Sequence, residues 1–218
     1  MKNKFTELEA RELERQLAHP SGKTGIEVGK NMNETNIGMT LNSIEFLELK
    51  NENSVLELGH GNCGHLGKLL DSAKGITYFG LEVSETMWIE AKNTNADKQA
   101  EFHLYDGETI PYADNFFDRA LAVNTIYFWS NPGKLLNEIE RLLRPGGICV
   151  LTYGDKEFMQ KLPFVGQKFT LFDKNDIEKL VGKTGMRIVE FKDETEQVKS
   201  KTGEAIERNY TMVKLSRL

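Results

Sequence analysis

The chain has 218 residues, a length that suits one domain with a substantial core, and its balance of 39% apolar to 28% charged residues excludes a disordered chain. Its 28 Lys and Arg against 33 Asp and Glu leave a net charge of −5 with no basic cluster, which argues against a broad contact with a nucleic-acid backbone. The opening Met1-Lys2-Asn3-Lys4 leads into charge rather than an apolar leader, and no run of about 18 apolar residues follows; the expectation is a cytoplasmic protein without membrane insertion.

Thr6-Glu7-Leu8-Glu9 is a capping-box pattern that opens a charged helix ending before Pro20. Ser21 to Gly25 reads as a turn-rich link. Its Gly22-Lys23-Thr24 looks like the tail of a phosphate-binding loop, but the earlier glycine and a preceding strand are missing, so no nucleotide site is assigned there. Within residues 31–49, Ile37, Leu41, Ile44 and Leu47 keep a helical spacing and predict a helix packed on the rest of the fold. A second role for that segment is to close a ligand cleft, with Met32, Asn33, Asn36 and Met39 on its inner side.

Val55-Leu56-Glu57-Leu58 then reads as a buried strand that runs into Gly59-x-Gly61-x-x-Gly64 and a helix from Leu66. Glycines there permit a tight turn and leave the backbone open to a ligand. The next strand, from Ile76, ends in Glu82, and Ser84 caps a helix that holds Met87. A third strand over 101–105 ends in Asp106-Gly107, and a fourth over 116–124 delivers Asn124. Asn131-Pro132 starts a helix that stops at Arg144-Pro145-Gly146-Gly147, before a strand over 148–153. A helix follows Asp173. Two last strand-like runs, 187–191 and 210–215, fit an antiparallel hairpin, with the charged residues 192–208 between them read as a solvated loop. Cys63 and Cys149 belong to no C-x-x-C pair, so they read as buried free thiols and no metal site is implied.

Five strands alternating with helices describe an open α/β sheet, whose ligands bind outside the carboxyl ends of the strands. Four successive strand ends carry Glu57 with the glycines, Glu82, Asp106 and Asn124. An acid at the second strand's end suits ribose hydroxyls. Glu57 beside the glycine loop would repel a pyrophosphate but attract a cationic ligand. That contrast favours S-adenosylmethionine, with its sulfonium and ammonium, over a nicotinamide dinucleotide.

These landmarks resemble the class I S-adenosylmethionine-dependent methyltransferases. The resemblance rests on Val55 to Gly61, on Gly80-Leu81-Glu82-Val83-Ser84-x-x-Met87, on Asp106-Gly107 with Phe116-Phe117-Asp118, and on Leu142-Leu143-Arg144-Pro145-Gly146-Gly147. Within the class the chain is most similar to the methyltransferase domain 11 group, which includes ubiquinone and menaquinone C-methyltransferases. The resemblance implies a Rossmann-like, seven-stranded, mostly parallel sheet with a C-terminal antiparallel hairpin and helices on both faces. Residues 51–218 would form the donor-binding domain, and residues 1–50 a helical cap over the substrate cleft.

It further implies that Glu57, Leu58, Gly59, His60 and Gly61 hold the methionine part of the donor and that Glu82 takes the ribose. Val83 and Met87 would flank the adenine, Asp106 with Gly107 and Glu108 would bind its amino group, and Asn124 would lie near the sulfonium. Asn124-Thr125-Ile126-Tyr127 departs from the Asn/Asp-Pro-Pro-aromatic motif of enzymes that methylate DNA bases or glutamine. A small-molecule acceptor, methylated at carbon or oxygen, and no DNA are therefore expected. Of the four histidines, His60 is the best placed for a catalytic base. Tyr127, with Phe128, Trp129 and Tyr153, is a candidate for contact with the sulfonium. Two other readings are a donor-binding scaffold without catalysis and an NAD(P)-dependent reductase. Oligomeric state is not encoded in any pattern found.

Overall fold

A computed structural model describes residues 6–199 and 205–218. Seven strands form one sheet: β1 (Ser54–Leu58), β2 (Thr77–Glu82), β3 (Ala100–Leu104), β4 (Phe117–Val123), β5 (Leu143–Gly154), β6 (Met186–Lys199) and β7 (Ala205–Arg217), in the order β3-β2-β1-β4-β5-β7-β6. Only β7 runs against the others, pairing antiparallel with both β5 and β6. The expected mostly parallel sheet with a C-terminal antiparallel hairpin is present.

β1 is buried over Val55 to Leu58, as an interior parallel strand must be when helices cover both faces. The pleat splits the core in two. Leu56, Leu58 and Ala120 face one layer with α5 (Pro132–Leu142) and α7 (Lys174–Val181), while Val55, Tyr78 and Leu121 face the other with α2 (Gly22–Phe46), α3 (Leu66–Leu70) and α4 (Glu85–Thr94). α5 forms because Asn131 accepts from the Lys134 amide at 3.0 Å, Pro132 pre-sets the first turn, and Leu135, Leu136, Ile139 and Leu142 line one face. Burying each of those leucines contributes about 1.5–3 kcal/mol. α1 (Glu7–Ala18) starts at the expected Thr6–Glu9 capping box, and the short α6 (Lys156–Met159) is capped by Asp155.

Two expectations are corrected. The link at Ser21 to Gly25 is instead the start of α2, which runs unbroken for 25 residues. Its glycines are sites of close approach: a Cβ on Gly25 would lie 2.7 Å from the Pro20 carbonyl carbon, and one on Gly29 would lie 2.4 Å from Met87 Sδ. The charged stretch after Phe191 is also not a loop over 192–199 and 205–208, where β6 and β7 continue their ladder. Cross-strand polar pairs replace an apolar face there: Arg208 meets Glu196 at 2.6 Å, and Thr195 donates to Asn209 at 2.9 Å. Residues 200–204 of the same predicted loop lie outside the described residues. Cys63 and Cys149 are free and buried, and burial pushes the Cys149 thiol up to about 12. Among the described residues no helix is long and apolar enough to cross a membrane.

Candidate active site

β1 sits between β2 and β4, and the chain crosses from one side of it to the other after β3. At the carboxyl ends of these strands lies a cavity of about 290 Å³, walled by the glycine loop, the ends of β2 and β4, and α2. Gly59 has φ +70°, and a Cβ there would meet Thr125 Cγ2 at 2.4 Å; Gly61 has φ +58°, and a Cβ there would meet nothing within 4 Å. Gly59 is therefore needed for packing, whereas Gly61 leaves open backbone beside the cavity.

Glu82 organises this end. Its carboxylate, only 4% exposed, accepts from the Gly61 amide at Oε2 (3.0 Å) and from the Val83 and Ser84 amides at Oε1 (2.9 Å each). It thus ties the glycine loop to the start of α4, and Oε2 keeps room for a further donor. Asp106 lies on the far side of the cavity, where its Oδ1 accepts from the Thr109 and Glu108 amides at 2.7 and 2.8 Å. Those N–H groups hold its carboxyl below the usual range. Its Oδ2 makes no bond among the described residues. Gly107, with φ +83°, lies alongside Val83, and both line the cavity.

Glu57 faces the same cavity but is not a bare anion. It is 3% exposed, and its Oε2 accepts from His65 Nε2 at 2.9 Å and from the Tyr78 hydroxyl at 2.6 Å. Burial alone would raise the carboxyl's pKa, but the His65 charge and these hydrogen bonds outweigh it and hold the group ionised below the usual range. For His65, burial opposes charging and Glu57 more than offsets it, so its pKa is raised. The attraction for a cation read from Glu57 in the sequence is therefore shared with a buried partner. Cys63 Sγ lies 3.2 Å from the Tyr78 hydroxyl, and burial pushes that thiol well up. The donor atoms of Glu57, Cys63 and His65 come within 4.8 Å of one another, joined by these hydrogen bonds.

Asn124 adopts φ 58° at the end of β4, a conformation asparagine tolerates. Its amide is committed: Nδ2 donates to Met39 Sδ at 2.9 Å, and Oδ1 accepts from the Tyr127 hydroxyl at 3.0 Å.

Several candidates occupy other places. Tyr127 does not line the cavity; it is 3% exposed, and its hydroxyl is taken up by Asn124 and the Gly154 amide. Leu58 is 1% exposed and belongs to the core. Glu108 points outward and pairs with Lys134 at 3.0 Å. His60 lines the cavity with its ring, yet its nitrogens are unsuited to a base. Nδ1 lies 2.8 Å from the Gly61 carbonyl and so carries the hydrogen, while Nε2 is sealed without a partner near Gly80 and beside the Phe102 ring. Burial lowers its pKa, so the ring is neutral. Phe128 and Trp129 line the cavity and Tyr153 does not. Met32, Asn33 and Asn36 line it, whereas Met39 lies behind Asn124.

The sequence missed Leu17, Ala18 and Pro20, which reach the cavity from the α1–α2 junction, and Gly29, Thr40, Tyr105 and Thr125. The junction is fixed there by Ser84 Oγ donating to the Pro20 carbonyl (2.6 Å), by the Gly22 amide donating to Thr86 Oγ1 (3.2 Å), and by His19 Nε2 against the Val83 carbonyl (3.1 Å). No periodicity marks such contacts. Tyr105 and Thr125 adjoin Asp106 and Asn124, and that adjacency was the only available signal.

Residues 56–151 match the model of a methyltransferase domain family. The chain is 30% identical over 120 residues to the uncharacterized methyltransferase YdaC of Bacillus subtilis, covering 54% of this chain and 66% of that protein. It is 30% identical over 98 residues to a fatty-acid O-methyltransferase of Mycolicibacterium smegmatis, covering 45% of this chain and 36% of that one. The matched part of the chain thus spans less than two thirds of these curated relatives' own length. Among solved structures, a candidate methyltransferase of Haloferax volcanii in complex with the Trm112 activator superposes with a TM-score of 0.70 at 17% identity, covering 95% of this chain and 97% of that one. At that identity the likeness concerns the fold.

Proposed function

The chain belongs to the class I S-adenosylmethionine-dependent methyltransferases through its domain at residues 56–151 and its fold, and from that premise we propose that it methylates a small-molecule acceptor at oxygen or carbon. The observation that carries the reading is a row of carboxylates along one cavity that can still accept hydrogen bonds, through the unbonded second oxygens of Glu57 and Asp106 and the singly bonded Oε2 of Glu82, beside the open backbone of Gly61. A ribose, an adenine amino group and an ammonium are all donors. A pyrophosphate would bring only acceptors and negative charge to the same wall.

When bound, the donor supplies a methyl group already activated on a positively charged sulfur. The protein's work is then to position and to exclude water, and positioning can supply about 7–11 kcal/mol of a barrier at best. Glu82 holds the loop that orients the ligand, and Asn124 is itself held by Tyr127 and Met39. Pro20 and α2 form one wall of the cavity.

The acceptor side is read from the remaining wall. Met32, Asn33, Asn36, Thr40, Phe128 and Trp129 bring amides, a hydroxyl and aromatic rings, but no charge. With His60 Nε2 sealed, that wall offers no general base. It suits acceptors that are ionised at neutral pH unaided, such as carboxylic acids, or phenols and enols acidified by electron-withdrawing groups; the acceptor class in the Mycolicibacterium relative's name is consistent with the first of these.

The test has two steps. S-adenosylhomocysteine should raise the melting temperature while NADH should not. A panel of phenols, quinols and carboxylic acids, assayed for S-adenosylhomocysteine release, should then yield at least one acceptor. Stabilisation by NADH alone would overturn the reading, and binding without turnover across the panel would favour a scaffold.

A further inference from the structure

Beyond Asp193 and before Tyr210, the described residues of the β6–β7 hairpin contribute no side chain to either half of the core. Their polar groups reach α2 instead. Glu196 and Arg208 stand opposite each other in the ladder, and Glu196 Oε1 accepts from Arg208 Nε at 3.1 Å and from Nη2 at 2.6 Å. Arg208 Nη2 also donates to the Thr35 carbonyl at 2.8 Å, and Nη1 donates to Asn36 Oδ1 at 2.6 Å. The approach is close: a Cβ on Gly38 would lie 2.4 Å from Glu196 Oε2. Met32, Asn36 and Thr40 share one face of α2 by their spacing, and all three line the cavity. Arg208 thus stands behind a wall whose front is Asn36.

A guanidinium has N–H donors and no acceptor, so Asn36 can meet it only with its amide oxygen. The Asn36 Nδ2 group makes no hydrogen bond to a described residue and is left for the cavity. Accepting from a charged donor also polarises the amide and strengthens its N–H groups as donors. Glu196 balances the charge of Arg208, so the wall gains a hydrogen-bond direction without net charge.

We propose that Asn36, oriented by Arg208 as a positioning residue, donates to the methyl acceptor and selects a carboxylate. This rests on the reading of the protein as a methyltransferase with a small-molecule acceptor, and it narrows the acceptor class. A carboxylate is ionised at neutral pH unaided, as a wall without a base requires. It also brings two oxygens, one to attack the donor's methyl group and one to accept from Asn36 Nδ2. In that step an O–C bond forms as the C–S bond breaks, and the electron pair stays on sulfur as a neutral thioether. The product is a neutral methyl ester, and no proton has to move. An ammonium would meet Asn36 donor against donor, and a simple phenolate has no second oxygen to spare.

Alkyl and aryl carboxylic acids, each set against the amine and the alcohol or phenol of the same skeleton, are assayed for S-adenosylhomocysteine release. The carboxylates should be preferred by at least about tenfold in kcat/KM. On the best of them, Asn36→Ala should raise KM at least about tenfold while kcat and S-adenosylhomocysteine affinity stay within about twofold, as for a binding contact away from the reacting atom. Arg208→Gln can offer an oxygen and so lets the Asn36 amide turn over. It should raise KM at least about threefold in the wild-type background and add nothing to Asn36→Ala. Effects that simply add would show a structural role for Arg208 and overturn its assignment. Should Arg208→Gln fail to fold, Asn36→Asp replaces it, because it keeps an oxygen for Arg208 but sets another against the carboxylate. Its KM should exceed that of Asn36→Ala, and an equal or lower value overturns the proposal. Preferred turnover of amines or phenols, or an unchanged KM in Asn36→Ala, overturns it too and leaves methyl transfer standing. Binding of S-adenosylhomocysteine without turnover of any compound would overturn both.

Discussion

Replacing Glu82 with glutamine isolates one hydrogen bond at the centre of the site. A glutamine can keep one oxygen facing the Val83 and Ser84 amides, but its Nε2 then meets the Gly61 amide, donor against donor. Turning the side chain over is worse, because it sets the NH₂ against two amides instead of one. The site is 4% exposed, so water does not repair the loss. Losing one charge-assisted bond to a buried amide costs about 1.5–3 kcal/mol. At about 2–4 °C per kcal/mol for a chain of this size, Glu82→Gln should lower the melting temperature by about 3–12 °C. S-adenosylhomocysteine affinity should fall at least about tenfold, because the freed loop no longer presents Gly61 and the ribose loses a carboxylate. Differential scanning fluorimetry and calorimetry measure the two effects. Glu101→Gln is the control, on a half-exposed side chain paired with His103 only at 3.4 Å. A Glu82→Gln protein that melts and binds like this control would show that the carboxylate neither holds the loop nor meets the ligand.

Other expectations follow from the same geometry. His60→Leu should keep methyl transfer within about tenfold of wild type, whereas loss of a true general base costs about 100-fold or more; a larger loss in a steady-state assay would restore His60 to the chemistry. Gly59→Ala should be strongly destabilised by the Thr125 contact and the positive φ, while Gly61→Ala should lose only about 1–2 kcal/mol in melting experiments. The Gly61 variant should nonetheless bind S-adenosylhomocysteine more weakly, and equal behaviour of the two variants would contradict the placement of the loop. The Glu57–His65 pair gives a signed pH dependence. The raised pKa of His65 contributes stability that is fully present below its ordinary value of 6.5 and is lost as pH rises through the folded value. The lowered pKa of Glu57 contributes stability that is present above 4.5 and is lost as pH falls through its folded value. Urea denaturation should therefore show the wild-type advantage over His65→Gln to be larger at pH 6 than at pH 8.5, and a flat difference would deny the ion pair.

The strand ends were legible because parallel strands flanked by helices must be continuously apolar, which leaves a polar residue at a terminus conspicuous. Glu57, Glu82 and Asn124 stand out for that reason, whereas Asp106 follows the largely exposed edge strand β3 and was marked by its Asp-Gly pair. α2 was truncated in the reading because Gly22, Gly25 and Gly29 argue against a helix on propensity. In the fold, Gly25 and Gly29 are what allow α2 to approach Pro20 and Met87. The ends of β6 and β7 were missed because their pairing rests on Arg208, Glu196, Thr195 and Asn209 rather than on an alternating apolar face. His65 could be noted as a loop histidine, but nothing in linear spacing says that a turn returns it to Glu57. Tyr127 shows the opposite error: proximity in sequence to Asn124 suggested contact with ligand, and instead the tyrosine supports the asparagine from behind.

α2 is pinned at both extremities. Its beginning is latched to Thr86 beside the Ser84–Pro20 bond, and just past its end Arg119 Nε donates to the Leu47 carbonyl at 3.1 Å. α1 is fastened beside the same cavity, through His19 on Val83 and through the Lys168 amide on Glu14 Oε1, so a substitution at any of these anchors reaches the wall around the ligand without touching the ligand itself.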